Sequence, residues 1–390
     1  MGELMPTNSL RTPAKLSAVV ALALALASCA STPPVVCNAL PSSSGTCTCG
    51  SGALACPVQP GPEFLYAVGG GQIQAFSVDH HSGALTTAGS VTGPSMSFGL
   101  TAVSNQFLYT SDSLAAQLDG FTINQTTGAL TTLVSSPFST GTISIPVGLA
   151  SPPGSDLLYA GDAGRVDAFT VSASGIPTAL SSSPFPSGSG LLLAVDPFSN
   201  FLYTAIDDPT GTGGVFAYTI DSAGALTDVP GSPFALPGPT GSNRRPFGIV
   251  DTGSYVYSAL SATNQIAAFS ITSGTGALAP VTGSPFSTGA TPLALVLASG
   301  FLYALNDGGI SGYSINSSTG VLTPLSGSPF AIIGGAITTD SFGQHLYVSG
   351  PTGIQAFNIN STSGALTTVT GSPFSAGEAT VMAVVQIPPP

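Results

Sequence analysis

The segment that decides the fold is residues 301–330, FLYALNDGGISGYSINSSTGVLTPLSGSPF, because its pattern recurs along the chain. Successive copies are spaced by 43, 50, 44, 54, 46 and 44 residues, and they open at Phe64, Phe107, Leu157, Phe201, Tyr255, Phe301 and His345. Repeats of roughly 40–50 residues that contain several short β segments are typical of propeller blades. The sequence therefore predicts an all-β protein, a seven-bladed β-propeller.

Each copy contains three short strands separated by turns. In FLYAL, Phe301 and Tyr303 project to one side and Leu302 and Ala304 to the other, as expected of a strand buried between two layers. A turn rich in Asn, Asp and Gly leads to ISGYSI, a second turn leads to VLTPL, and the proline of GSPF ends the ladder. A fourth strand then leads into the next copy, so we expect four antiparallel strands per blade.

The two ends of the repeat region predict how the ring closes. The first copy, at Phe64, has no apolar strand before it, because residues 57–63 form a Pro/Gly linker. After the last copy comes ATVMAVVQ at 379–386, which aligns with the strand that precedes the other copies. We expect this C-terminal strand to close the first blade, which removes two open sheet edges. The predicted propeller spans 63–390.

The repeat pattern LY…(I/V)xAFxI…tGaLT…gSPF covers about 64–386 and resembles the seven-bladed lactonase family. This family includes propeller-type 6-phosphogluconolactonases and carboxymuconate-lactonizing enzymes. The resemblance implies a seven-bladed propeller, with an acid–base group and arginines around one mouth of its central channel.

The N-terminal residues 1–28 are predicted to be a lipoprotein signal peptide. Arg11 and Lys15 form a basic region, an apolar stretch follows, and Leu-Ala-Ser-Cys ending at Cys29 resembles a bacterial lipobox. Acylation of Cys29 would anchor the chain in a membrane, and Ala30 after the cysteine favours the outer membrane. The alternative is an ordinary secretory signal cleaved near Ala30.

The segment 29–62 is predicted to be a Cys/Pro/Ser-rich spacer. Four cysteines in an exported segment indicate two disulfides with three possible connectivities, among Cys37, Cys47, Cys49 and Cys56. The alternative is a metal site, but the Cys-x-Cys spacing lacks the usual two-residue spacer and no histidine lies nearby. We therefore predict no metal.

Charge excludes one class of partner. Hydrophobic residues make up 43% of the chain and charged residues only 6%, against about 25% charged in a typical domain. Without the signal peptide, which contains Glu3, the chain keeps sixteen acidic residues and no lysine, and its basic residues are Arg165, Arg244 and Arg245. Such a surface would repel phosphates, so nucleic-acid binding is not expected.

Two long loops of the fourth repeat contain the candidate ligand-binding groups. The insertion at 237–246 places Arg244 and Arg245 at the entrance to the fifth inner strand, and the loop AIDDPTGTGG contains Asp207 and Asp208. We expect all four on the face that surrounds the channel mouth. Two arginines could bind a carboxylate or a phosphate. The alternative is an Arg–Asp pair that fastens the two loops together.

Other polar residues are predicted to be structural. The remaining inner-strand entrances, SMSFG, IPVGL, SGLLL, TPLAL, GAITT and ATVMA, contain no His, Glu or Asp to activate water. His80 and His81 are expected in a solvated turn on the opposite face, and His345 in a packed strand. At the foot of the inner strands, turn amides are expected to donate hydrogen bonds to Asp196, Asp251 and Asp340.

These observations predict an exported, lipid-anchored monomer that serves as a binding or surface scaffold module with a lactonase-like fold. Its partners would be the lipid membrane, and a small anionic ligand or an envelope protein. The alternative is a sugar-lactone hydrolase of the 6-phosphogluconolactonase type, with Arg244 and Arg245 binding the substrate anion and Asp207 or Asp208 as the base. Neither function requires a cofactor.

Overall fold

The computed structural model describes residues 46–49, 52–55, 60–139, 146–162, 164–188, 190–206, 213–238 and 245–389. The chain divides into two compact units, Met1–Gln59 and Pro60–Pro390. The first unit contains an antiparallel hairpin of two strands, β1 (Thr46–Cys49) and β2 (Gly52–Ala55).

The predicted anchor and disulfides mostly fall outside the described residues. Cys47 and Cys49 lie on β1. Cys29, Cys37 and Cys56 lie outside the described residues. The anchor and the disulfides therefore stay predictions.

All strands of the second unit are short and antiparallel to their neighbours. They are β3 (Glu63–Gly69), β4 (Gln72–Val78), β5 (Leu85–Thr92), β6 (Leu100–Val103), β7 (Phe107–Asp112), β8 (Gln117–Ile123), β9 (Leu130–Thr132), β10 (Phe138–Ser139), β11 (Leu149–Ala150), β12 (Leu157–Asp162), β13 (Gly164–Val171), β14 (Pro177–Ala179), β15 (Phe185–Gly188), β16 (Gly190–Val195), β17 (Phe201–Ile206), β18 (Gly214–Ile220), β19 (Leu226–Asp228), β20 (Phe234–Ala235), β21 (Pro246–Asp251), β22 (Tyr255–Leu260), β23 (Gln265–Ile271), β24 (Leu278–Pro280), β25 (Phe286–Ser287), β26 (Ala294–Ala298), β27 (Phe301–Asn306), β28 (Gly309–Ile315), β29 (Leu322–Pro324), β30 (Ala336–Thr339), β31 (His345–Gly350), β32 (Gly353–Ile359), β33 (Leu366–Thr368) and β34 (Val381–Gln386).

The strands form seven sheets, so the predicted seven-bladed propeller is confirmed. From the inner to the outer strand, the blades are β34-β3-β4-β5, β6-β7-β8-β9, β11-β12-β13-β14, β16-β17-β18-β19, β21-β22-β23-β24, β26-β27-β28-β29 and β30-β31-β32-β33. We number them blades 1 to 7 in this order. Four further short strands, β10, β15, β20 and β25, pair with the third strand of blades 2 to 5.

The closure of blade 1 by the C-terminal strand is also confirmed. β34 pairs with β3 along its whole length, from Glu63 opposite Gln386 to Val68 opposite Val381. Met382 and Val385 are buried against the neighbouring blades. Burial of such a side chain contributes roughly 1.5–3 kcal/mol, so the seam is stabilised by packing as well as by the ladder.

The core lies between the blades. The buried apolar residues fall into seven clusters, and each cluster combines residues of two adjacent blades. Leu302 and Tyr303 of β27 are both fully buried, although they project from opposite faces of blade 6. Every second strand therefore has two apolar faces because it packs against two neighbours.

One hydrogen bond repeats around the whole ring and joins each blade to the next. In each blade the tyrosine of the second strand donates to a glycine carbonyl in the turn between the third and fourth strands of the following blade. The pairs are Tyr66 with Gly128, Tyr109 with Gly175, Tyr159 with Gly224, Tyr203 with Gly276, Tyr257 with Gly320, Tyr303 with Gly364 and Tyr347 with Gly83. We call this set the tyrosine–glycine ring.

The glycine of each pair is required by both conformation and space. Gly128 has φ +72°, and a Cβ there would lie 2.2 Å from Cδ1 of Phe64. Only glycine tolerates both conditions at low cost. The tGaLT element of the repeat thus specifies contact between blades.

The Ser-Pro-Phe segment returns the chain to the third strand of its blade in blades 2 to 7. In blade 6, Ser328 Oγ accepts a hydrogen bond from the Gly312 amide, and Phe330 forms a bridge with Ile310. Blade 1 differs from the prediction because its copy lacks this segment. There β5 continues to Thr92 and pairs with β4 as far as Gln72.

Candidate active site

One face of the propeller carries the segments that enter the inner strands, together with the turns between second and third strands. The hydroxyl and the amide of Ser261, in such a turn, donate to the carbonyl of Arg245 at 2.9 and 3.0 Å. The amide of Asp307 likewise donates to Ala290 at 2.9 Å. Because the inner strands surround the central channel, we call this the mouth face.

Arg245 lies on the mouth face, directly before β21. It is exposed and has φ +43°, so its backbone adopts a left-handed conformation that a non-glycine residue rarely takes. Its carbonyl is held by Ser261, as described above. Arg244, Asp207 and Asp208 lie outside the described residues. The predicted grouping of all four charges therefore stays a prediction.

The mouth face contains a carboxylate that the sequence interpretation missed. Glu378 is exposed and lies two residues before Thr380, at the entrance to β34. Its Oε1 would be 3.8 Å from a Cβ on Gly335, at the entrance to β30 of blade 7. The ATVMA segment contains no acid, as stated above, but Glu378 stands one residue before it and was not considered. In the sequence, the position of Glu378 between GSPF and the last strand could have identified it as an entrance residue.

Hydrogen bonds fix the backbone on both sides of Glu378. The Thr380 hydroxyl lies 2.7 Å from the carbonyl of Ser97 and 3.3 Å from that of Val68, joining the entrances of blades 1 and 2. The Ala379 amide donates to Ser349 Oγ of blade 7 at 2.6 Å. The carboxylate thus projects from a segment anchored to three blades.

Most of the remaining rim is apolar. In each blade, the fourth residue of the second strand pairs with one residue of the inner strand. The position two residues before that partner is equivalent in all blades. It is occupied, from blade 1 to blade 7, by Thr380, Phe98, Val147, Leu191, Phe247, Leu293 and Gly335. Phe98 is 42% exposed and Leu293 36% exposed, whereas Val147 and Phe247 are half-buried.

An ionisable group with a raised pKa lies at the other end of an inner strand. Burial, and secondarily the charge of Asp196, raises the pKa of Asp251 to about 7, although a hydrogen bond from the Gly253 amide opposes the shift. That bond, to Oδ1, measures 2.5 Å. Oδ2 is buried and has no hydrogen-bond partner among the described residues. The expected turn hydrogen bond is confirmed, but it does not account for Oδ2.

The predicted amide bonds to the other two aspartates are also confirmed. Asp196 Oδ1 accepts hydrogen bonds from the amides of Asn200 and Phe201, at 2.5 and 2.8 Å. Asp340 Oδ1 accepts from the amides of Gln344 and His345, at 2.7 and 2.9 Å. Beside Asp196, a groove of about 510 Å³ opens between blades 4 and 5.

His80 and His81 lie in a turn on the face opposite the mouth, as predicted, and His345 is a packed strand residue, also as predicted. His345 is buried in β31 and its Nδ1 lies 2.9 Å from Asp340 Oδ2. His81 is exposed in its turn. His80 is not simply solvated, since its Nε2 lies 3.1 Å from the Gly61 carbonyl and its Nδ1 lies 3.3 Å from Glu63 Oε2. It therefore helps to hold the start of the propeller.

Blade 3 contains an arginine between two buried carboxylates. Arg165 Nη2 lies 3.1 Å from Asp162 Oδ2, and Arg165 Nε lies 3.2 Å from Asp167 Oδ2. Both aspartates are buried and all three side chains project towards blade 2, since Asp162 pairs with Arg165 across the hairpin. Sequence alone did not assign these residues, and their geometry indicates an ion pair that stabilises the hairpin.

Within the residues that the structure describes, no three His, Cys, Asp or Glu side chains are grouped closely enough to hold a metal ion. The same residues include no helix that is long and apolar enough to cross a membrane.

Comparison with known proteins identifies relatives. The profile of the family described as "Lactonase, 7-bladed beta-propeller" matches residues 65–384. Similar solved structures include candidate 6-phosphogluconolactonases of Bacteroides fragilis (16% identity, TM-score 0.67) and Bacteroides uniformis (15%, 0.69), and the periplasmic gluconolactonase of Pseudomonas aeruginosa (17%, 0.64). Each comparison covers 84% of this chain and 99, 100 and 99% of the other chain, respectively. At these identities the structures show the fold alone. Among curated proteins, none is significantly similar in sequence.

Proposed function

Because the chain belongs to the seven-bladed β-propeller lactonase family, we propose that it hydrolyses a lactone at the channel mouth. Sugar lactones are the first substrates to test, as the names of the structural neighbours suggest. The observation that carries the proposal is the exposed carboxylate of Glu378 on a rim that also carries Arg245. The presence of both groups on one rim favours a lactonase over a scaffold role.

In the proposed reaction, Glu378 accepts a proton from water as the water oxygen attacks the lactone carbonyl carbon. The ring C–O bond then breaks, and the same proton passes to the leaving alkoxide, giving a hydroxy acid. General acid–base catalysis of this kind contributes typically 10²–10⁴-fold. The Arg245 guanidinium stabilises the negative charge on the carbonyl oxygen, or binds an anionic substituent.

The test follows acid release from glucono-1,5-lactone and 6-phosphogluconolactone by the purified full-length protein, after subtraction of spontaneous hydrolysis. Glu378→Gln should lower kcat/KM by about 10²-fold or more, and Arg245→Ala should lower it by at least about 10-fold. Asp307→Asn is the matched control, since Asp307 is an exposed carboxylate in a turn of the same face. Equal activity of wild type and Glu378→Gln would refute the assigned site.

A binding module without turnover is the second candidate. Large apolar side chains are exposed on the mouth face, such as Met96 at 40% and Ile333 at 64%. Exposed apolar residues of this size are typical of interaction surfaces when they are contiguous. A folded protein with no rate above background on any lactone would favour this function. For either function we propose an exported outer-membrane lipoprotein anchored through Cys29.

A further inference from the structure

The side chains around the mouth differ from those that a sugar requires. The equivalent rim position holds Phe98, Val147, Phe247 and Leu293 in four of the seven blades, and Phe98 and Leu293 are more than one third exposed. Large apolar side chains therefore occupy the same register position in four separate repeats.

The inner strands continue this character below the rim. In each inner strand, one residue pairs with the fourth residue of the second strand. The two residues after it are mostly Ala, Val or Leu, as at Ala194, Val296, Leu297 and Val384. Among these described positions, Asp251 of blade 5 is the single charged residue. These apolar side chains are partly buried and pack against the apolar cores between the blades, directly below the rim.

A sugar lactone exposes several hydroxyl groups, and each hydroxyl that leaves water without a new partner weakens binding. An alkyl chain gains affinity from the exposed apolar side chains of the rim, because every buried CH₂ is transferred out of water. We infer that this site selects a lactone that carries an alkyl or acyl substituent. The alkyl or acyl substituent would lie against Phe98, Phe247 and Leu293. The lactone ring would lie near Glu378 and Arg245. This inference rests on the proposed function.

The experiment compares glucono-1,5-lactone with δ-valerolactone, δ-octalactone and δ-decalactone, using the full-length protein. Transfer of one CH₂ corresponds to about a fourfold gain, so kcat/KM should rise at least about 30-fold from δ-valerolactone to δ-decalactone. Phe98→Ser and Leu293→Ser should reduce this dependence on chain length. Leu114→Ser is the matched control, because Leu114 is exposed on the same face but does not occupy the equivalent rim position. This variant should preserve the dependence of kcat/KM on chain length.

A binding measurement separates this inference from the proposed function. The δ-lactams with and without a pentyl chain resist hydrolysis, and calorimetry gives their dissociation constants whether or not turnover occurs. Tighter binding of the pentyl lactam, weakened in Phe98→Ser but not in Leu114→Ser, supports the inference even if no lactone is hydrolysed, in which case only the proposed function fails. Equal binding of both lactams, or turnover of glucono-1,5-lactone alone, overturns the inference.

Discussion

Asp251 should make the stability of the propeller depend on pH. Its pKa is 3.8 in an unperturbed aspartate and about 7 in the fold, so the folded state holds the proton more tightly than the unfolded chain. Folding stability is then greatest at acid pH and falls as the pH rises from about 4 to about 7. The change in pKa corresponds to at most about 4 kcal/mol.

Asp251→Asn removes this ionisation and keeps an oxygen to accept the Gly253 amide. Near pH 4 the variant and the wild type should have similar free energies of unfolding, because the native carboxyl is then protonated. At pH 8 the variant should be more stable by about 2–4 kcal/mol. Urea titrations at several pH values measure the difference directly.

The control must separate Asp251 from other carboxyl groups. Burial, with a contribution from Asp112, raises the pKa of Asp119 to about 6. This effect has the same sign, but it is present in both proteins and cancels in the difference. Asp307→Asn, at an exposed position, should leave the pH profile unchanged. Parallel profiles for wild type and Asp251→Asn would refute the reasoning.

Three further predictions concern stability and anchoring. Arg165→Ala removes the guanidinium that contacts the buried carboxylates of Asp162 and Asp167, so the protein should lose about 3–5 kcal/mol at neutral pH in urea unfolding; an unchanged midpoint would contradict the ion-pair role. Deletion of 379–390 removes the inner strand of blade 1 and should give insoluble or unfolded protein, whereas a melting curve like that of the full chain would disprove the closure. Cys29→Ser should abolish acylation, measured by intact mass and detergent partitioning, while circular dichroism shows the same propeller; wild-type protein without acyl mass would favour plain secretion.

The architecture could be predicted from sequence because it is repeated. Seven similar segments predicted seven blades, and the unpaired apolar segment 379–386 predicted the seam. The repeat specifies strands whose two faces are both buried, as in FLYA, and periodicity detects this well. Framework aspartates such as Asp340 were also predictable, since their hydrogen bonds are local.

The candidate site could not be predicted in the same way, because it depends on contacts between blades. Glu378 projects from the mouth because hydrogen bonds hold the segment that follows it to blades 1, 2 and 7. Arg165 and its two aspartates meet through cross-strand register, which a sequence does not display. Asp251 has a raised pKa because of burial, and burial is a property of the assembled ring.

The tyrosine–glycine ring shows that the junction between the last and first blades has the same contact as the other junctions. Tyr347 donates to Gly83 across the seam at 3.1 Å, within the 2.7–3.2 Å range of the six pairs joined by continuous chain. The junction between the first and last blades is thus chemically equivalent to the others. A gene that starts at a different repeat, with the present termini joined by a short linker, would encode the same set of contacts. The order of the blades around the axis is therefore fixed by physical contact, whichever repeat comes first along the chain.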